Sequence, residues 1–181
     1  MKLMFGMVAV LAMLLGMILG IGHLDGLTLG EPSEEAATPA EQEQGPAMAT
    51  GEELEYLKFM MGYVSTVGES VNDVGSLLAQ PALEDQTWRA VLTSLLSRIK
   101  ESPDAISGIV PPPALQGFHD DSVLFVDHCS RFAVLVYESL NEGETELSEE
   151  VTAELVKADE TYVEMDRLLA EFLEEHPVEQ E

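Results

Sequence analysis

Residues 50–81 read TGEELEYLKFMMGYVSTVGESVNDVGSLLAQP. Apolar side chains recur there at alternating steps of three and four: Leu57, Met60, Val64, Val67, Val71, Val74 and Leu78. A helical residue turns about 100°, so these positions form one narrow stripe. A stripe repeating every seven residues is a seam that packs against other helices. Thr50 and Glu53 have the spacing of a capping box, in which each side chain accepts from the other's free backbone N–H. Pro81 ends the run. Gly68 and Gly75 sit seven apart beside the seam. Glycine weakens a helix by about 1 kcal/mol relative to alanine. The pair therefore marks the close approach of a neighbouring helix or, as the functional alternative, a small pocket.

Working outward, three more helical patterns follow. EDQTWRAVLTSLLSRIK places Trp88, Val91, Leu95 and Ile99 on an inner stripe with Leu92 beside it, and Pro103 is expected to break the helix. Ile106 and Ile109 extend core cover beyond the break. Pro111, Pro112 and Pro113 predict a stiff extended turn that opens the next helix. That third helix carries Leu115, Phe118, Ser122, Phe125, Cys129, Phe132 and Val136 on one face. The fourth begins at the N-cap Ser148, with Glu149 and Glu150 at its positive end, and repeats Val151, Leu155, Ala158, Tyr162, Met165, Leu169 and Phe172. No segment alternates apolar and polar residues as a strand does. The expected fold is all-α: an antiparallel four-helix bundle over residues 50–176, with an acidic tail at 177–181.

Upstream, residues 3–22 are uncharged and apolar, preceded by Lys2. Twenty helical residues span roughly 30 Å, the thickness of a bilayer core. Lys2 favours a cytoplasmic N-terminus and an extracytoplasmic domain. Residues 1–22 are read as a single-pass transmembrane anchor or uncleaved signal, with a secreted or periplasmic product of signal cleavage as the alternative. Residues 23–49 are rich in Pro, Gly, Ala and Glu and are read as a disordered acidic linker. The lipid bilayer is thus the first expected partner, through residues 3–22.

The chain of 181 residues holds 34 Asp+Glu against 8 Lys+Arg, a formal net charge of −26. Such a balance argues against nucleic acid, whose phosphates demand basic residues. It suits a self-repelling surface, and equally a high-salt habitat. With one cysteine the chain forms no internal disulfide.

The run FHDDSVLFVDHC, residues 118–129, concentrates the metal-binding residue types. On a helix it largely disperses. His119 and His128 are nine residues apart and point to opposite sides. No member of the set has the i, i+3 or i, i+4 ligand partner that helical metal sites use. Cys129 falls on the core stripe and reads as a small buried hydrophobe. Asp127 and Arg131 are spaced for a surface ion pair. His119 and His128 remain weak metal candidates; a hydrogen bond to a residue of a neighbouring helix is the simpler expectation for each. No phosphate loop, nucleophile elbow or other cofactor or catalytic motif occurs, so no cofactor is expected.

Val123, Leu124, Val134 and Leu135 lie off the core stripe of the third helix. Either that helix is the most buried of the four or its flank presents an apolar face to a partner, a second copy included. The functional expectation is a non-enzymatic binding or interaction module of the cell envelope, acting through that flank. The alternatives are a small-ligand-sensing or solute-binding bundle with a pocket near Gly68, Gly75, Trp88 and the two histidines, and a metal-binding protein using His119 or His128.

Overall fold

The computed structural model describes residues 48–143 and 147–177. The apolar run, nearly all of the acidic linker, part of the connection before the fourth helix and most of the tail lie outside the described residues. The described residues are all-helical, with four helices and no strand. These are α1 (Gly51–Ala79), α2 (Gln86–Ile106), α3 (Gln116–Asn141) and α4 (Glu149–Glu175), with a 3-10 turn at Pro113–Leu115 leading into α3.

Local chemistry starts each element. At α1 the capping box forms: Glu53 N donates to Thr50 Oγ1 at 3.3 Å and Thr50 N to Glu53 Oε2 at 2.8 Å. Asp85 caps α2 by accepting from Thr87 N at 2.7 Å. Ser148 caps α4 by accepting from Val151 N at 3.3 Å. Pro112 is extended (φ −56°, ψ 143°) and Pro113 opens the turn before α3, as the triple proline suggests. Gly143, just past α3, has φ +80°, the left-handed conformation that a helix terminus commonly gives to glycine.

The seam of α1 is buried from Leu57 to Val74, with Leu78 half-buried. Every position of the α3 stripe from Leu115 to Val136 is buried. So is the α4 stripe apart from half-buried Tyr162. Helix α3 is central: it packs against α1, α2 and α4, whereas the backbones of α1 and α4 are not closely packed. Hydrogen bonds fix α1 against α2 in antiparallel order. Tyr63 Oη donates to Ser102 O at 2.6 Å, an Arg98 guanidinium N–H to Ser70 Oγ at 2.7 Å, and Trp88 Nε1 to Leu77 O at 3.3 Å.

Helix α2 departs from its expected reading twice. Pro103 does not break it; the helix continues to Ile106. Proline has no N–H to bond the carbonyl four residues back. Here the Ser102 hydroxyl donates to that carbonyl, Ile99 O, at 2.6 Å. The polar group that the proline frees is thereby satisfied inside the core. The buried stripe is also rotated: Leu92, Leu96, Ile99, Ser102 and Ile106 face inward, while Val91 is 46% exposed. Trp88 sits half-buried over the end of α1 and does not lead the core stripe.

Candidate functional site

The register between α3 and α4 sets up the site. Leu168 Cδ1 lies 3.6 Å from where a Cβ on Gly117 would stand, and the rings of Phe125 and Tyr162 are 5.8 Å apart. Further along, His128 meets Glu154. Numbers rise on α3 as they fall on α4, so the pair is antiparallel. His128 and Glu154 each flank a core stripe by one position, which brings them to the seam and leaves each 8% exposed.

His128 Nδ1 lies 2.7 Å from Glu154 Oε2. An ionised carboxylate only accepts, so Nδ1 carries the proton of this bond. Lys157 Nζ donates to Glu154 Oε1 at 2.6 Å, so both carboxylate oxygens are engaged. Burial on its own raises the Glu154 carboxyl, but the hydrogen bonds from Lys157 and His128 outweigh it and hold the group below its ordinary value.

Beside this junction runs an open groove of about 430 Å3. Its α3 wall is Ser130, Arg131, Val134 and Leu135; its α4 wall is Glu150, Ala153, Glu154 and Lys157. The size falls in the range of small-molecule sites. The expected Asp127–Arg131 ion pair does not form, and Arg131 has no ion-pair or hydrogen-bond partner among the described residues. Its guanidinium belongs to the groove instead. Two of the chain's 8 basic side chains thus line one groove on a protein of net charge −26.

His119 is equally buried, at 8% exposure, on the other flank of α3. Its Nδ1 shares a 2.7 Å hydrogen bond with the Tyr56 hydroxyl of α1. Burial, reinforced by the nearby Asp120 charge, pushes the Tyr56 phenol up, so it stays neutral. Cys129, next to His128 on the core stripe, is 2% exposed, and burial raises its thiol, which leaves it unsuited to nucleophilic chemistry. Among the described residues no group of three His, Cys, Asp or Glu side chains is placed to hold a metal ion.

The remaining candidates scatter. Gly68 is half-buried and Gly75 buried on α1, and neither lines the groove. Trp88 bonds to Leu77 and His119 to Tyr56. Those α1 positions are 21 residues apart, roughly 30 Å along the helix. The structure therefore does not bring Gly68, Gly75, Trp88 and the histidines into one pocket. Leu135 lines the groove, whereas Leu124 is 44% exposed outside it. A separate void of about 10 Å3 lies between α1 and α4 at Phe118 and Tyr162, room for no more than a single water.

Glu154 and Lys157 are functional candidates that sequence reasoning passes over. A signal exists: Glu154 sits next to the stripe residue Leu155 and three before Lys157, the spacing of an intrahelical pair. What is missing from one sequence is the register that sets Glu154 opposite His128. Comparison with known proteins finds no matching family model, no matching curated relative and no matching solved structure.

Proposed function

We propose that this chain is a non-enzymatic binding or interaction module of the cell envelope, held to a bilayer by residues 3–22 and presented on the extracytoplasmic side. The observation that carries the binding part is the α3–α4 groove, where an apolar wall and Arg131, which has no partner among the described residues, share one open cleft. Interaction sites combine these features: apolar cover for affinity and a few placed polar groups for specificity. The antiparallel four-helix arrangement serves this role as a scaffold, because helices position side chains more firmly than loops do. The membrane part rests on the length and polarity of residues 3–22 and on Lys2; no described helix is long and apolar enough to cross a membrane.

One labelling experiment tests both parts. The full chain is made with Val110→Cys, a position 88% exposed, or with Leu135→Cys in the groove. Each is treated with a membrane-impermeant maleimide in intact cells and again after purification. The proposal expects Val110→Cys to react at the same rate in both settings, and Leu135→Cys to react more slowly in cells, where its occupant covers it. Reaction at position 110 only after lysis would overturn the location. Equal rates at position 135 would overturn the groove as binding face.

A further inference from the structure

The groove is lined by charges of both signs. Glu154 and Lys157, both on its α4 wall, are bonded to each other. That leaves Arg131 on the α3 wall and Glu150 on the α4 wall, both exposed. The helix register sets these two across from one another. His128 meets Glu154, and the helices run antiparallel. Arg131 lies three residues on along α3, and Glu150 four residues back along α4. Those steps are about 4.5 Å and about 6 Å in the same direction. The two positions are therefore level to within about one residue's rise, on opposite walls. Neither side chain forms an ion pair among the described residues, with the other or with a third group. The rest of the lining is apolar at Val134, Leu135 and Ala153, apart from Ser130, whose hydroxyl donates to Lys100 O.

We propose that the groove binds a small zwitterion with an apolar side chain, an α-amino acid such as leucine. Its carboxylate meets the Arg131 guanidinium, its ammonium the Glu150 carboxylate, and its side chain Val134, Leu135 and Ala153. This rests on the reading of the groove as the binding face. Charge complementarity selects the occupant. A ligand of one sign would satisfy one wall and leave the other wall's charge unpaired beside it. One molecule carrying both signs satisfies both walls for a single loss of translational freedom. It also has no net charge for a chain of net charge −26 to repel.

The test uses the full chain in lipid nanodiscs, with isotope-labelled leucine in the protein and the Leu135 methyl signals as the readout. Unlabelled L-leucine is the probe. The controls keep its tail and one charge each: 4-methylpentanoate lacks the ammonium, and 3-methylbutylamine lacks the carboxylate. L-leucine is expected to shift the Leu135 signals saturably and to bind about tenfold or more tighter than either control, the worth of one charge-assisted contact. The substitutions should then cross over. Arg131→Gln is expected to weaken L-leucine about tenfold and leave 3-methylbutylamine unchanged. Glu150→Gln is expected to weaken L-leucine by as much and leave 4-methylpentanoate unchanged. Either control binding as tightly as L-leucine, or either substitution leaving L-leucine binding intact, would overturn the zwitterion assignment while keeping the groove as a binding face. No response of Leu135 to L-leucine would overturn it too, and the maleimide experiment then reports separately on whether the groove binds anything.

Discussion

The two histidines of α3 have the same exposure, lie nine residues apart and share one helix, yet their junctions differ in kind. His119 bonds to a neutral phenol of α1, with Asp120 nearby. His128 bonds to a carboxylate of α4 that a lysine also holds. Burial alone therefore does not give a histidine its role; the partner does. The Tyr56–His119 contact closes a polar gap at the edge of the core. The His128–Glu154–Lys157 contact ties two helices together and sets two charged groups in the wall of a groove. The first is structural, and the second is where binding is proposed.

The largest effect belongs to the packing that holds both junctions in place. Phe132, 1% exposed on the shared stripe, should cost about 3–5 kcal/mol on Phe132→Ala, measured by urea unfolding. Both junctions should loosen together; if only one does, α3 does not act as a single rigid spine. Next comes Glu154→Leu. It leaves His128 without its acceptor and removes the anchor of Lys157, for an expected loss of about 2 kcal/mol. A double-mutant cycle with His128→Leu should return a coupling of about 1 kcal/mol or more; a value near zero would mean that the two side chains act independently.

Acid separates the junctions more sharply. The folded state holds the Glu154 carboxyl below its ordinary value. The stability this contributes is fully present above the unfolded-state value and is lost as pH falls through the folded one. Glu53 in the capping box is also held low and shares that acid limb. Glu154→Gln should therefore flatten the limb in part, as read from melting temperature against pH. Tyr56→Phe should leave the limb's shape unchanged and lower stability uniformly by about 1 kcal/mol, because it removes a neutral hydroxyl. The smallest effect is expected at Arg131→Gln, within about 0.5 kcal/mol, since the side chain is exposed and has no partner among the described residues. A larger loss would reveal a structural partner for Arg131 and weaken its assignment to the groove.

Much of the fold was legible from spacing. The α1, α3 and α4 stripes are three–four repeats, apolar except for Ser122, and all but the half-buried Leu78 and Tyr162 are buried. Helix α2 was not, for two physical reasons. Apolar residues fall on both of its sides: Trp88 and Val91 lie at an edge and outside, while Leu92 and Leu96 turn inward. Its Pro103 reads as a stop unless a neighbouring hydroxyl satisfies the carbonyl it frees, and that service by Ser102 depends on a side-chain rotamer. The site was half legible. That the histidines flank the core follows from helical geometry. Which partner each one meets depends on how α3 is set against α1 and α4, a quantity that a single sequence does not contain. For the same reason Arg131 was paired with Asp127 on spacing alone.

The central claim is that His128 donates its Nδ1 proton to Glu154 and so holds Glu154 in place at the groove. Nitrogen-detected NMR of the imidazole rings reads the protonation of each ring nitrogen directly. The account predicts that His128 carries a proton at Nδ1, and that Glu154→Gln disturbs this signal while leaving His119 untouched. A His128 ring protonated at Nε2 with Nδ1 bare would contradict it, because a carboxylate cannot donate the proton such a bond would need.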